Sequence, residues 1–131
     1  MSKESESSLG MPIPSVRMRR LRATPALRAM VREHHLAVTD LIYPLFIKAN
    51  SVGSSPIASM PGQYQWSLDA LPGEVDAISA LGIPAVLLFG LPAYKDAQGS
   101  AAQCEDGIVQ RAIRVIKAKN ADMTVIADLC F

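Results

Sequence analysis

Cysteine is scarce in this chain, and so is any excess of charge. Only Cys104 and Cys130 occur in 131 residues. That is too few for a disulfide framework, so the expected setting is reduced and cytoplasmic. The formal net charge is +1, which gives no whole-chain field to draw in nucleic acid or an anionic membrane surface. No apolar run approaches the roughly 20 residues that cross a bilayer. Residues Met1 to Ser8 lack the apolar core of a secretory signal, and Glu4 and Glu6 are unlike an acid-poor transit peptide. Several reaction motifs are also missing. Gly90-Leu91-Pro92 is not a G-x-G-x-x-G phosphate loop, and there is no nucleophile elbow, paired-carboxylate motif or HExxH.

What is present is core-building material: half of the residues are apolar and 19% are charged, the balance of a packed domain. Residues 1–16 show no usable period and read as a flexible arm. Arg17-Met18-Arg19-Arg20-Leu21-Arg22 is a short basic cluster without interleaved aromatics, better suited to a solvated or inter-subunit arm than to phosphates. Thr24-Pro25 has the form of a helix start, with Leu27, Met30, Val31 and His34 following at helical spacing. His34-His35 then falls at the helix end, where a cation is favoured.

From residue 41 the pattern alternates. Leu41 to Lys48 is a buried-strand run with Pro44 inside it, so irregular or edge-like pairing is expected there. Residues 49–66 read as a long loop around Ser59-Met60-Pro61-Gly62. Ser67 can cap a second helix carrying Leu71, Val75 and Ile78, with Gly82 as its stop and Pro72-Gly73 near its start. Ile83 to Leu91 is a second strand, and 92–106 a polar loop. Gly107 to Lys119 is a third helix, with Val109, Ala112, Ile113 and Ile116 on its apolar face. Met123 to Phe131 is a third strand. The order β-α-β-α-β predicts an α/β fold with a parallel sheet and right-handed crossovers. Three strands cannot close a barrel, and ending inside a strand favours the opening portion of a larger fold.

Asp128 and Cys130 lie two apart in the last strand, which would put both on one face at its carboxyl end. Binding groups collect at that end of parallel α/β folds. A thiolate suits zinc, and a carboxylate beside it can orient a metal-bound water or a substrate amine. The plain alternatives are a small hydrophobe at Cys130 and a helix cap at Asp128. Cys104, in a polar loop, has no partner by spacing and reads as an incidental exposed thiol.

Several segments, in order, resemble the porphobilinogen synthase (5-aminolevulinate dehydratase) family. They are Arg17 to Arg22, Leu41-Ile42-Tyr43-Pro44-Leu45-Phe46, Ser59-Met60-Pro61-Gly62, Leu81 to Val86, Leu88-Phe89-Gly90, Asp106 to Ile113 and Ala127-Asp128-Leu129-Cys130. The resemblance covers about residue 14 to the end. It implies that residues 41–131 form the first three β/α units of a (β/α)₈ TIM barrel. Residues 1–40 would be an N-terminal arm with a short helix that embraces a neighbour in a homo-octamer. It implies a hydro-lyase of tetrapyrrole and heme biosynthesis, condensing two 5-aminolevulinate molecules to porphobilinogen with loss of two waters. Asp128 matches the family's active-site aspartate, and Cys130 the first cysteine of the D-x-C-x-C motif of zinc-type members. Zinc is therefore the implied cofactor. The family's two Schiff-base lysines lie on later strands, beyond Phe131, so this chain by itself is expected to be inactive. Phe131, Pro72-Gly73 and Cys104 depart from the family's usual pattern without touching its chemistry. The competing reading is a non-catalytic small α/β module that binds a partner through its arm and sheet edge. Another Schiff-base barrel, of the aldolase kind, fits the D-x-C ending less well.

Overall fold

The computed structural model describes residues 19–129, which divide into two compact units, one ending at His35 and the other beginning at Leu36. In the first, Arg19–Arg22 form a single 3₁₀ turn, and α1 spans Pro25–Met30. The start is the one the sequence predicts. Thr24 is extended (φ −127°, ψ 157°) and its Oγ1 accepts the Leu27 amide at 3.2 Å, with Pro25 just inside. The end is not. The spacing carried the helix to His34, yet it stops at Met30, so His34 and His35 lie outside it and gain nothing from its C-terminal dipole. No residue of α1 is buried and Met30 is 81% exposed. So short a helix lacks the packing that would extend it.

The second unit is built on a five-stranded sheet in the order β2-β3-β1-β4-β5. Its strands are β1 (Ile42–Lys48), β2 (Ser54–Pro56), β3 (Tyr64–Trp66), β4 (Ala85–Leu91) and β5 (Thr124–Ala127). β1, β4 and β5 run parallel side by side in chain order. They are joined by α2 (Leu71–Ala80) and, after the short α3 (Ser100–Gln103), by α4 (Ile108–Lys119). The expected α/β class and parallel sheet are therefore present. One face of the sheet carries Leu45, Ile47, Val86 and Leu88 into a core with Leu71, Val75 and Ile78 of α2, and Ala112 and Ile116 of α4. The 3.6-residue spacing of the helices and the two-residue spacing of the strands place these side chains together. Ile42 and Ile126, on the opposite face, stay exposed. An exposed ion pair, Lys119 Nζ to Asp76 Oδ2 at 2.8 Å, links α4 to α2.

Pro44 sits within β1 without breaking it. The Ala49 amide bonds the Leu91 carbonyl at 2.9 Å, so odd-numbered amides of β1 face β4 and position 44 faces away. On that side β3 pairs only at Phe46 and Ile47. The missing donor thus falls where β1 has no strand beside it among the described residues, as an edge-like proline should.

Other boundaries differ from the sequence reading. Residues 49–66 are not an irregular loop: β2 and β3 form an antiparallel hairpin, and β3 then joins β1 in parallel. Gly62, at φ +85°, supplies the left-handed position of its turn. Ser67 does not cap α2. It is 1% exposed, and its Oγ donates to the Gly53 carbonyl at 2.8 Å, so it closes the open end of the hairpin. α2 begins at Leu71, with Pro72 in the first turn, where amides need no intrahelical partner. Gly82, at φ +76°, ends that segment as expected. β5 is four residues long, shorter than the Met123 to Phe131 run that the sequence predicts. Met123 is buried before it, and Asp128 lies just past it. Cys130 and Phe131 lie outside the described residues.

Candidate functional site

The carboxyl ends of β1, β4 and β5 open onto a cavity of about 420 Å³. Its walls come from Phe46 on β1, Phe89 to Leu91 on β4, and Ala127, Asp128 and Leu129 after β5. The segment 92–102 and the first turn of α4 complete it. The lining is mainly apolar, with Asp128, Lys95, Asp96, Gln110 and the Tyr94 hydroxyl as its side-chain polar groups. A concave apolar pocket with a few convergent polar groups is the usual form of a small-molecule site.

Strand register places the residues. Phe46 pairs with Phe89, and Leu88 with Ala127. The Asp128 amide then bonds the Leu88 carbonyl at 3.0 Å, so the ladder continues one residue past β5. Phe46, Phe89 and Asp128 occupy one row across three strands. They share the sheet face opposite Leu45, Ile47 and Leu88, which point into the core. The two phenylalanine rings stack, with centroids 5.1 Å apart and planes 18° apart. Asp128 is exposed to the cavity space.

The loop wall is held by one carboxylate. Asp96 Oδ1 accepts the Ser100 amide at 2.9 Å and the Gln98 amide at 3.2 Å, and Gly99 adopts φ +65° before α3. The Ser100 amide above all, then the Ser100 hydroxyl and the Gln98 and Gly99 amides, hold the Asp96 carboxyl below its ordinary value of 3.8. A depressed carboxylate stabilises the loop at neutral pH. That contribution fades as pH falls below 3.8 and through the still lower folded-state value. We expect amide-exchange protection at Ser100 and Gln98 at neutral pH, its loss in acid, and its loss at every pH in Asp96→Ala. Composition alone predicts a polar loop over 92–106. The Asp-x-x-Gly-Ser string at Asp96 to Ser100 was the available signal for a side-chain-capped turn.

At the other end of β1, the Tyr43 hydroxyl donates to Glu74 Oε1 at 3.0 Å. Burial, and then the neighbouring Glu74 carboxylate, push Tyr43 above its usual 10.0, as expected of a structural tie between β1 and α2.

Of the sequence candidates, Asp128 stands on the cavity wall and Cys130 lies outside the described residues. Cys104 is exposed and lines an adjoining recess of about 180 Å³ with Arg111 and Asp106, which shares Pro92, Tyr94, Ala101 and Ile108 with the cavity. Lys117 Nζ is spent on the carbonyls of Ala121 and Met123, at 3.0 and 2.7 Å, and Lys119 on Asp76. Lys48 ends β1 exposed, and Lys95 borders the cavity. Among the described residues no three His, Cys, Asp or Glu side chains gather as a metal site, and no helix is long and apolar enough to cross a membrane.

Comparison with known proteins agrees with this architecture. The family model for delta-aminolevulinic acid dehydratase matches residues 15–131. The delta-aminolevulinic acid dehydratase of Halalkalibacterium halodurans is 55% identical over 122 residues, covering 93% of this chain and 37% of that protein. The Helicobacter pylori protein of the same name is 52% identical over 116 residues, covering 88% and 36%. The chain thus spans a little over a third of the length of these relatives. The crystal structure of the Toxoplasma gondii ME49 enzyme, in complex with its reaction product porphobilinogen, superposes with a TM-score of 0.80 at 36% identity. It covers 90% of this chain and 34% of that one. The residues matched, the identities and the shared α/β architecture lead to one assignment: the chain belongs to the delta-aminolevulinic acid dehydratase family.

Proposed function

We propose that this chain supplies the opening β/α units of a porphobilinogen synthase, a hydro-lyase that condenses two 5-aminolevulinate molecules with loss of two waters. The observation that carries the reading is the apolar cavity at the carboxyl ends of β1, β4 and β5 with Asp128 on its wall. Active sites of (β/α)₈ enzymes are built at that end of the strands. In this reading Asp128 is the catalytic carboxylate. It accepts a hydrogen bond from the substrate amine and fixes its orientation. Residues 1–40 are an arm that packs on neighbouring subunits of a homo-octamer, residues 41–131 are barrel, and the setting is cytoplasmic.

Zinc is the cofactor proposed, with Cys130 as its first thiolate. The described residues do not make a zinc site by themselves, because no three His, Cys, Asp or Glu side chains gather among them. The softness of the Cys130 donor supports this metal, which when bound would supply a Lewis acid.

The test joins this chain to the remainder of the Halalkalibacterium halodurans protein and measures porphobilinogen formed from 5-aminolevulinate. We expect turnover from the fusion, and no borohydride-trapped adduct on the 131-residue chain alone. A folded fusion that makes no porphobilinogen counts against the reading.

A further inference from the structure

The loop wall of the cavity is held in place by few bonds. Tyr94, Lys95, Asp96, Gly99, Ala101 and Ala102 belong to it. The Asp96 turn and α3 bond only within their own segment. Among the described residues, a single hydrogen bond ties 92–103 to another element. Gln110 Nε2, in the first turn of α4, donates to the Ala102 carbonyl at 3.2 Å, eight residues back along the chain. Arg114 also reaches back, to the Glu105 carbonyl at 3.4 Å, but Glu105 does not line the cavity.

Gly107 makes room for this tie. Its φ of −63° and ψ of 165° suit any residue, so backbone freedom does not explain a glycine there. Space does. A Cβ at Gly107 would lie 2.5 Å from Gln110 Oε1, 3.0 Å from the Cys104 carbonyl oxygen and 3.1 Å from the Ala101 carbonyl oxygen. Glycine, glutamine and loop are therefore fitted to one another. α4 is itself seated on the sheet at Gly90, where Val109 leaves no room for a Cβ. The wall thus takes its position from β4, through α4 and Gln110. A four-residue helix such as α3 has too little internal bonding to hold its place alone.

We propose that Gln110 is a positioning residue for the site: it clamps the 92–103 wall against the cavity, and Gly107 is the gap that lets it do so. This rests on the assignment of the cavity to 5-aminolevulinate. Gln110 acts through the wall and not on the reacting atoms. Its loss changes how firmly a ligand is held and not the chemistry once the ligand is bound, so KM rises while kcat is kept. That is the opposite signature to the one expected of Asp128.

The experiment uses the full-length fusion. Gln110→Met keeps the length of the side chain and removes the donor, Gln110→Glu sets an acceptor against the carbonyl, and Gly107→Ala fills the gap. Each is followed by amide exchange, by turnover of 5-aminolevulinate, and by calorimetric binding of levulinate, the same keto acid without the amine, which cannot complete the condensation. We expect faster exchange of the Ala102 amide, whose partner is the Gly99 carbonyl at 2.9 Å, while Ser100 and Gln98 stay protected by Asp96. Levulinate should bind roughly fivefold more weakly, the scale of one net hydrogen bond, with KM raised and kcat retained. Arg114→Gln should leave the affinity and the Ala102 amide unchanged. Gln110→Met combined with Gly107→Ala should cost less than the sum of the two, because both release one clamp. A merely structural role would lower melting temperature and kcat together with affinity. That result, or unchanged exchange at Ala102 or unchanged affinity in both Gln110 variants, overturns the proposal. If the parent fusion neither binds levulinate nor converts 5-aminolevulinate, the substrate assignment fails, and exchange at Ala102 alone decides the clamp.

Discussion

Gly90→Ala is expected to destabilise the protein by about 1–3 kcal/mol, the usual cost of overfilling a packed site. Backbone preference alone predicts the reverse, because replacing glycine in a strand removes unfolded-state entropy and is otherwise mildly favourable. Packing decides the sign. Gly90 shares the face of Val86 and Leu88, and a Cβ there would lie 2.5 Å from Val109 Cγ2 and 3.2 Å from Ile108 Cγ2. Valine is branched at Cβ and has few rotamers in a helix, so it cannot swing clear. The first turn of α4 must move off the sheet instead. That turn is also a cavity wall, so the substitution should loosen ligand binding as well. The check is thermal or urea denaturation of the fusion described above, followed by the double variant Gly90→Ala with Val109→Ala. Removing the Val109 methyl groups relieves the contact, and the double variant should recover part of the loss despite deleting apolar volume. Strict additivity of the two changes would show that α4 does not press on β4 at this point.

Gly90 also illustrates what could be read beforehand. The long apolar runs around Leu45 and Leu88, and the 3.6-residue stripe from Val109 to Ile116, identified β1, β4 and α4 to within a residue or two. In those segments burial and local propensity agree. The hairpin escaped because β2 and β3 are three residues each and β2 contains Pro56. Their stability comes from pairing across the turn and onto β1, which no local window contains. α1 is shorter than its spacing predicts for a related reason: the spacing of Val31 and His34 is helical, but no residue of α1 is buried, so no packing surface rewards extension. The candidate site was legible as a pair of residues and not as a cavity. Asp128 was singled out by its place in the chain. Its row-mates Phe46 and Phe89 are 82 and 39 residues earlier, and only strand register brings them beside it. The expected sharing of a strand face by Asp128 and Cys130 rested on a strand running to Phe131. The strand ends at Ala127, so what holds Asp128 is a single ladder bond past that end.

Asp128→Asn is expected to lower porphobilinogen formation by the fusion by about two to three orders of magnitude, the range for losing a positioned catalytic carboxylate, with little change in stability. The two halves of this expectation come from different atoms of one residue. Its amide carries the structural role, on the Leu88 carbonyl, and asparagine keeps that amide. Its side chain is exposed to the cavity and appears in no hydrogen bond or ion pair among the described residues, so neutralising it removes no folded-state partner. A loss of turnover without a loss of melting temperature therefore locates the effect in the carboxylate charge. Asp106→Asn is the matched control: that carboxylate is also exposed, but it pairs with Arg114 and does not line the Asp128 cavity, and exposed pairs contribute ~1 kcal/mol or less. Its removal should leave turnover unchanged. If both aspartates prove equally dispensable, Asp128 is only part of the cavity wall. If both prove equally costly, the effect is one of overall charge. Only the unequal outcome assigns the chemistry to the row that Asp128 shares with Phe46 and Phe89.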